Sequence, residues 1–250
     1  MLASEESGSG RRIVLVHGFT QTRRCWGAVA SSLEVDYHVV RVDAPGHGRS
    51  STLAADMVDG AALLAATGGT ATYLGYSMGG RLCLHLALAF PHQVRGLVLV
   101  GATAGIEDPS ERDRRMALDE ERARRLEEDG VERFLEAWLA QPLFAGLDEE
   151  GRCLEARREN TAAGLAGSLR RAGTGAQEPL WDRLKALAMP VLVVAGERDD
   201  AYVELGRRLA QAIGGNASLA LVPGAGHAAH LESPGRFLSI VRPWLALNGL

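Results

Sequence analysis

Cysteine is scarce in this chain: Cys25, Cys83 and Cys153 are odd in number, far apart, and without a C-x-x-C pair or clustered histidines. Neither a disulfide framework nor a zinc site is indicated, and a reducing compartment is expected. Long apolar runs are missing too. The longest, Leu82 to Phe90, is interrupted by His85 and falls far short of the roughly 20 residues a bilayer-spanning helix needs. Met1 to Gly10 is small, polar and acidic rather than basic and then apolar, so it does not read as a secretory leader. A formal charge of -4 gives no global pull toward nucleic acid or anionic lipid, and any anion binding must come from local arginines. No internal repeat or low-complexity segment is visible. These absences leave a soluble, cytoplasmic protein without membrane insertion, and 250 residues are enough for one sizeable core plus an inserted subdomain. Its oligomeric state is not written in the sequence.

What is present is organised around Gly75-Tyr76-Ser77-Met78-Gly79-Gly80. Thr70 to Leu74 alternates like a short strand, while Leu82, Leu86 and Ala89 recur at helical spacing after it. Ser77 therefore stands at a sharp strand-turn-helix corner. Glycine two positions to either side is what such a corner requires when the serine is held in a strained conformation. The bland alternative is a glycine-rich turn with an incidental serine.

Around this corner strands and helices alternate. Ile13 to Val16, Tyr37 to Val42, Leu97 to Val100, Pro190 to Val194 and Ser218 to Val222 read as further strands, separated by helical patterns such as Trp26 to Leu33, Leu53 to Ala66 and Val203 to Ile213. A final helix is expected from Pro234 to Leu247. The order predicts an α/β fold with a doubly wound, mostly parallel sheet, whose ligand sits beyond the carboxyl ends of the strands. Residues 1–107 and 189–250 form this core. Between them, residues 108–188 lose the strand pattern and carry charged helical runs, Glu111 to Glu128 and Val131 to Ala140, which predict an inserted helical cap with Gly164, Gly167, Gly173 and Gly175 as its punctuation.

A serine hydroxyl is a weak nucleophile and base at neutral pH, so it needs a histidine to take its proton and a carboxylate to hold that histidine. Ser77, Asp199 and His227 supply these groups in that chain order, each in a loop after a strand. Asp200 competes with Asp199, Glu107 or Asp108 could serve from an earlier strand, and His230 competes with His227. The amide of Met78 at the head of a helix and that of Phe19 after the first strand can form an oxyanion hole. His17, Asp43, Gly46 and Gly48 read as loop architecture.

Together, His17-Gly18-Phe19, Asp43 to Ser50, Gly75 to Gly80, Gly196 to Asp199 and Gly226-His227 resemble the α/β-hydrolase superfamily over nearly the whole chain. A narrower resemblance rests on Gly75 to Arg81, Arg112-Asp113-Arg114-Arg115 with Asp119, and Trp138 to Phe144. Arg157 followed by Leu165 to Leu169, and Gly173 to Gln177 before Leu180-Trp181, extend it. Their combination is similar to the 2-succinyl-6-hydroxy-2,4-cyclohexadiene-1-carboxylate synthases of menaquinone biosynthesis. That resemblance implies a cofactor-free, metal-free elimination of pyruvate from 2-succinyl-5-enolpyruvyl-6-hydroxy-3-cyclohexene-1-carboxylate, with the triad as base. It also favours Asp199 as the acid. A substrate with three carboxylates calls for planar guanidinium forks. Arg81, one helical turn beyond Ser77, is one, and the resemblance adds Arg115 and Arg157 from the cap, with Arg158 the alternative to Arg157.

For the arginines the competing reading is a solvated helix face. Arg112, Arg114, Arg115, Arg122, Arg124 and Arg125 lie in a glutamate-rich run where i,i+4 pairs form readily. Tyr76, Trp138 and Phe19 line the pocket or fill the core. Two other functions use the same residues or fold: a serine carboxylesterase or carbon-carbon bond hydrolase, and a non-catalytic binding protein.

Overall fold

Strands whose side chains are buried on both faces have to be covered by helices on both sides, and the chain supplies those helices between them. The computed structural model describes residues 1–250. Its first half comprises β1 (Ser4–Ser7), β2 (Arg11–Val16), α1 (Gly27–Leu33), β3 (Tyr37–Val42), α2 (Met57–Gly68), β4 (Ala71–Tyr76), α3 (Met78–Ala89) and β5 (Val94–Val100). A strand-free stretch follows with α4 (Pro109–Leu139), α5 (Leu154–Arg157) and α6 (Ala162–Ala172). The chain then returns to the sheet with β6 (Val191–Gly196), α7 (Asp200–Ile213), β7 (Ala217–Val222), α8 (Ala229–Glu232) and α9 (Pro234–Leu247).

The strands form one sheet in the order β1-β3-β2-β4-β5-β6-β7, parallel except for β1, which runs antiparallel against β3. This is the expected doubly wound α/β architecture, with one strand more. Strand β1 escaped notice because Ser4 to Ser7 is polar and largely exposed, and its order comes from pairing with Val39 to Val42 rather than from burial.

The two-residue period of β2 divides the core. Ile13 and Leu15 pack with Trp26, Leu33, Phe237 and Val241 on one face of the sheet, while Val14 and Val16 pack with Leu64, Leu82 and Leu209 on the other. After β2 the chain winds to β3 on one side and later to β4 on the other. The crevice where the winding changes direction therefore opens at the carboxyl ends of β2 and β4. Phe19 and Ser77 follow those two ends.

Within the strand-free stretch, Glu111 to Glu128 and Val131 to Ala140 belong to one helical run broken at Gly130, whose φ of 79° and ψ of 172° are not helical. Gly164 and Gly167 do not interrupt the chain as expected but lie inside α6. Gly164 is small for a packing reason: a Cβ there would fall 2.5 Å from the Gly46 carbonyl oxygen, so α6 rests directly on the loop after β3. No helix is long and apolar enough to cross a membrane.

Candidate active site

Ser77 caps α3 with φ 51° and ψ -110°, a conformation that non-glycine residues rarely adopt. The strain is held from both sides: the Ser77 amide donates to the Val100 carbonyl (2.8 Å), and the Ser77 carbonyl accepts from the Arg81 amide (3.1 Å). Close contacts explain the neighbouring glycines. A Cβ on Gly75 would lie 2.5 Å from the Gly79 carbonyl oxygen, and one on Gly80 would lie 2.6 Å from the Ala102 Cβ.

His227 Nδ1 is 2.8 Å from Asp199 Oδ2. Asp199 also caps α7, its other oxygen accepting from the Tyr202 amide at 3.4 Å. Asp200 is exposed in the first turn of that helix, and Glu107 pairs with Arg208 at the surface. The imidazole of His227 packs against Tyr202, with ring centroids 4.3 Å apart, and lies so close to Gly101 that a Cβ on that glycine would be 3.0 Å from His227 Cε1. Gly101 directly follows the residue that holds the Ser77 amide, and Ser77 and His227 line the same cavity. No hydrogen bond joins their side chains.

The competing histidines have other surroundings. His230 is 1% exposed, sandwiched between Trp26 and Tyr76 at centroid distances of 4.5 Å, and neither ring nitrogen has a partner. Burial pushes its pKa down to about 3. His17 donates from Nδ1 to the Gly18 carbonyl (2.8 Å) and accepts at Nε2 from the Ala44 amide (3.0 Å), and desolvation lowers it to about 4. It fastens the loop after β2 to the loop after β3. Asp43 is fully buried and accepts from the Arg23 and Arg49 amides, at 2.8 and 3.0 Å, as well as from the Arg23 guanidinium. Both residues are loop architecture, as expected.

Gly18 brings the loop after β2 against the corner: a Cβ on it would be 2.7 Å from the Tyr76 ring and 3.5 Å from Ser77 Cβ. Met78 begins α3, where helical geometry leaves its N–H without an intrahelical acceptor. The Phe19 amide likewise donates to no backbone carbonyl among the turns and loops. Both Phe19 and Met78 line the cavity.

That cavity, about 890 Å³ with the open solvent at its mouth included, lies between the corner and the strand-free helices. Arg81, Arg115, Arg122 and Arg157 line it, and no acidic side chain does. Arg81, 6% exposed, donates to Gln177 Oε1 at 3.1 Å, and desolvation pulls its pKa down to about 10. Arg157 is 1% exposed, donates to the Arg152 carbonyl (2.7 Å) and the Thr20 hydroxyl, and keeps Nη2 unpartnered. Arg158 points elsewhere, to Glu132 and Glu155 at the surface. Tyr76 and Trp138 complete the wall beside Phe19, whose ring meets Trp138 edge-on at 5.2 Å. Asp199 stands behind His227, outside the lining.

Some lining residues have no counterpart in the sequence reading, Gln21, Thr103 and Tyr202 among them, and Arg122 stands there only within a run read as a solvated helix face. Gln21 and Tyr202 carry no motif. Arg122 is hidden among arginines that do pair at the surface, as Arg125 does with Glu121. No three histidine, cysteine, aspartate or glutamate side chains gather to hold a metal ion.

Residues 13–240 match the Alpha/beta hydrolase family, and the chain belongs to it. Among its relatives is the putative 2-succinyl-6-hydroxy-2,4-cyclohexadiene-1-carboxylate synthase of Bacillus subtilis, 32% identical over 98% of this chain and 93% of that protein. Among solved structures, MenH from S. aureus superposes over all of both chains with a TM-score of 0.93 at 28% identity. A malate-bound esterase from Thermogutta terrifontis is similar over 99% of this chain and 93% of its own, with a TM-score of 0.82 at 27% identity.

Proposed function

We propose that this protein eliminates pyruvate from 2-succinyl-5-enolpyruvyl-6-hydroxy-3-cyclohexene-1-carboxylate, as the names of its synthase relatives suggest, and so serves menaquinone biosynthesis. The observation that carries this reading is a cavity beside Ser77 with four arginines and no carboxylate in its wall. A neutral ester needs no such charge. A tricarboxylate does, because each anion leaving water must be met by fixed donors. Arg81, Arg115 and Arg157 take the carboxylates, Tyr76 and Trp138 pack against the ring, and residues 108–188 act as the cap that excludes water.

In this mechanism Asp199 fixes the His227 tautomer with Nδ1 protonated, leaving Nε2 to accept a proton. In the reacting complex the Ser77 hydroxyl donates to Nε2. Ser77 Oγ removes the proton next to the succinyl ketone as its own proton passes to His227. The C–H electron pair moves into the ketone, and the enolate oxygen is received by the Phe19 and Met78 amides. Those electrons return through the conjugated system and break the C–O bond to the enolpyruvyl group. Pyruvate leaves as its enolate and takes up a proton, and no cofactor is required.

The likeness to an esterase supports a second reading, in which Ser77 attacks a small ester covalently. The strained Ser77 and the Asp199–His227 pair favour either enzyme over a non-catalytic binding protein. Supplying the enolpyruvyl tricarboxylate and a panel of neutral esters, and following pyruvate and free acid, separates the two. Pyruvate release with little ester turnover is expected. Rapid ester hydrolysis with a covalent acyl-serine in the mass spectrum and no pyruvate contradicts the elimination.

A further inference from the structure

Arg115, Asp119 and Arg122 are spaced four and three residues apart and share one face of α4. Asp119, 2% exposed, accepts from Arg115 Nε at 2.9 and 3.0 Å, and from Arg122 Nη1 at 3.3 Å. One buried carboxylate is thus divided between two guanidinium groups that both line the cavity. Arg115 contributes only its Nε to that contact, and Arg122 only Nη1, so both keep unspent N–H donors. Of the two other lining arginines, Arg81 pairs with a neutral glutamine, and Arg157 with a carbonyl and a hydroxyl. The four guanidiniums of the wall thus share one carboxylate, which lies behind Arg115 and Arg122 and not in the lining.

Arg122 is placed by a second contact. Its guanidinium carbon lies 5.3 Å from the centre of the Trp138 ring. In a straight helix residues sixteen apart would be separated by about 24 Å. The break at Gly130 folds the second half of α4 back and makes the meeting possible. The contact holds the guanidinium against the face of the ring and uses none of its N–H donors. Desolvation, followed by the charge of Arg115, lowers the Arg122 pKa, as expected for a partly buried cation beside another. The neighbouring Arg124 and Arg125 are exposed and paired with exposed glutamates.

We propose that Arg122 is a specificity-determining residue that receives one carboxylate of the substrate, and that Asp119 is a positioning residue holding Arg115 and Arg122 side by side. The proposal rests on reading the cavity as a tricarboxylate site.

The test combines binding and turnover. Propane-1,2,3-tricarboxylate, succinate and acetate are titrated calorimetrically into wild-type protein and into Arg122→Gln, Arg122→Lys, Asp119→Asn and Arg124→Gln. Pyruvate release by the same proteins gives kcat and KM. Arg122→Gln is expected to weaken tricarboxylate binding about tenfold, and to raise KM by a similar factor with kcat nearly unchanged. Arg122→Lys recovers part of the loss, because it keeps the charge without the fork. Arg124→Gln removes the same charge from an exposed site and changes neither value. Asp119→Asn weakens binding in the wild-type background and costs less in the Arg122→Gln background, where only its hold on Arg115 remains to be lost.

Equal tricarboxylate binding by wild type and Arg122→Gln, equal loss in Arg124→Gln, or no binding by wild type overturns the proposal. If wild type binds the tricarboxylate but releases no pyruvate, the elimination reading fails while the calorimetric arm still judges Arg122.

Discussion

Gly79 sits so tightly under the first loop that a Cβ on it would lie 2.1 Å from the carbonyl oxygen of Val16. Val16 ends β2, and Gly79 is in the first turn of α3, so this contact sets the distance between the loop carrying Phe19 and the corner carrying Ser77. The two amides proposed to receive the enolate are positioned by one backbone-to-backbone approach. Gly79→Ala cannot be absorbed by a flexible side chain. It is expected to destabilise the protein by about 1–3 kcal/mol and to cut pyruvate release by at least about 100-fold. Urea unfolding and a coupled pyruvate assay check both, and wild-type activity in Gly79→Ala would show that the amide spacing does not matter.

Buried histidines set an acid limit on stability. His17 is held at about 4, and His47 and His230 at about 3, each by burial first. Their folded pKa values lie below the ordinary 6.5, so the unfolded chain takes up these protons before the folded chain does. Their contribution to stability is complete above about pH 6.5 and is lost as pH falls toward 4 and 3. The expected slope is about 1.4 kcal/mol per pH unit for each histidine. Urea titrations from pH 8 to pH 4.5 should therefore be flat at first and then fall. His230→Phe, which keeps an aromatic ring between Trp26 and Tyr76, should reduce the limiting slope by one histidine's share. An unchanged slope would exclude His230 as a source of the acid sensitivity.

Gly130 gives a test free of packing changes. A Cβ there meets nothing within 4 Å, so the cost of Gly130→Ala comes from its backbone, which a φ of 79° and a ψ of 172° reserve for glycine. A loss of about 1–3 kcal/mol is expected. If the chain relieves the strain by straightening α4, Arg122 parts from Trp138 and KM for the tricarboxylate rises while kcat holds. Unaltered stability and KM would show that the break is not required.

The corner was legible because only glycine tolerates the approaches made by Gly75, Gly79 and Gly80, and that demand leaves a pattern along the chain. The parallel strands were legible for a related reason: burial on both faces forces continuous apolar runs such as Ile13 to Val16. Asp199 and Asp200 were not separable by spacing. The fold decides between them by turning one toward His227 and leaving the other in the exposed first turn of α7. Arg122 left no local sign, since a glutamate-rich run looks the same whether an arginine faces water or a cavity. Its role depends on a return of the chain at Gly130 that brings Trp138 back from sixteen residues away. Strand β1 was invisible because an edge strand can be ordered by its ladder alone.

The most direct measurement is pyruvate release by Ser77→Ala, with the same protein titrated with propane-1,2,3-tricarboxylate to show that the cavity still binds. The account predicts intact binding and a fall in kcat of at least about 1,000-fold, within the range removal of such a group costs. Turnover close to wild type, with binding intact, would remove Ser77 from the reaction and contradict the account.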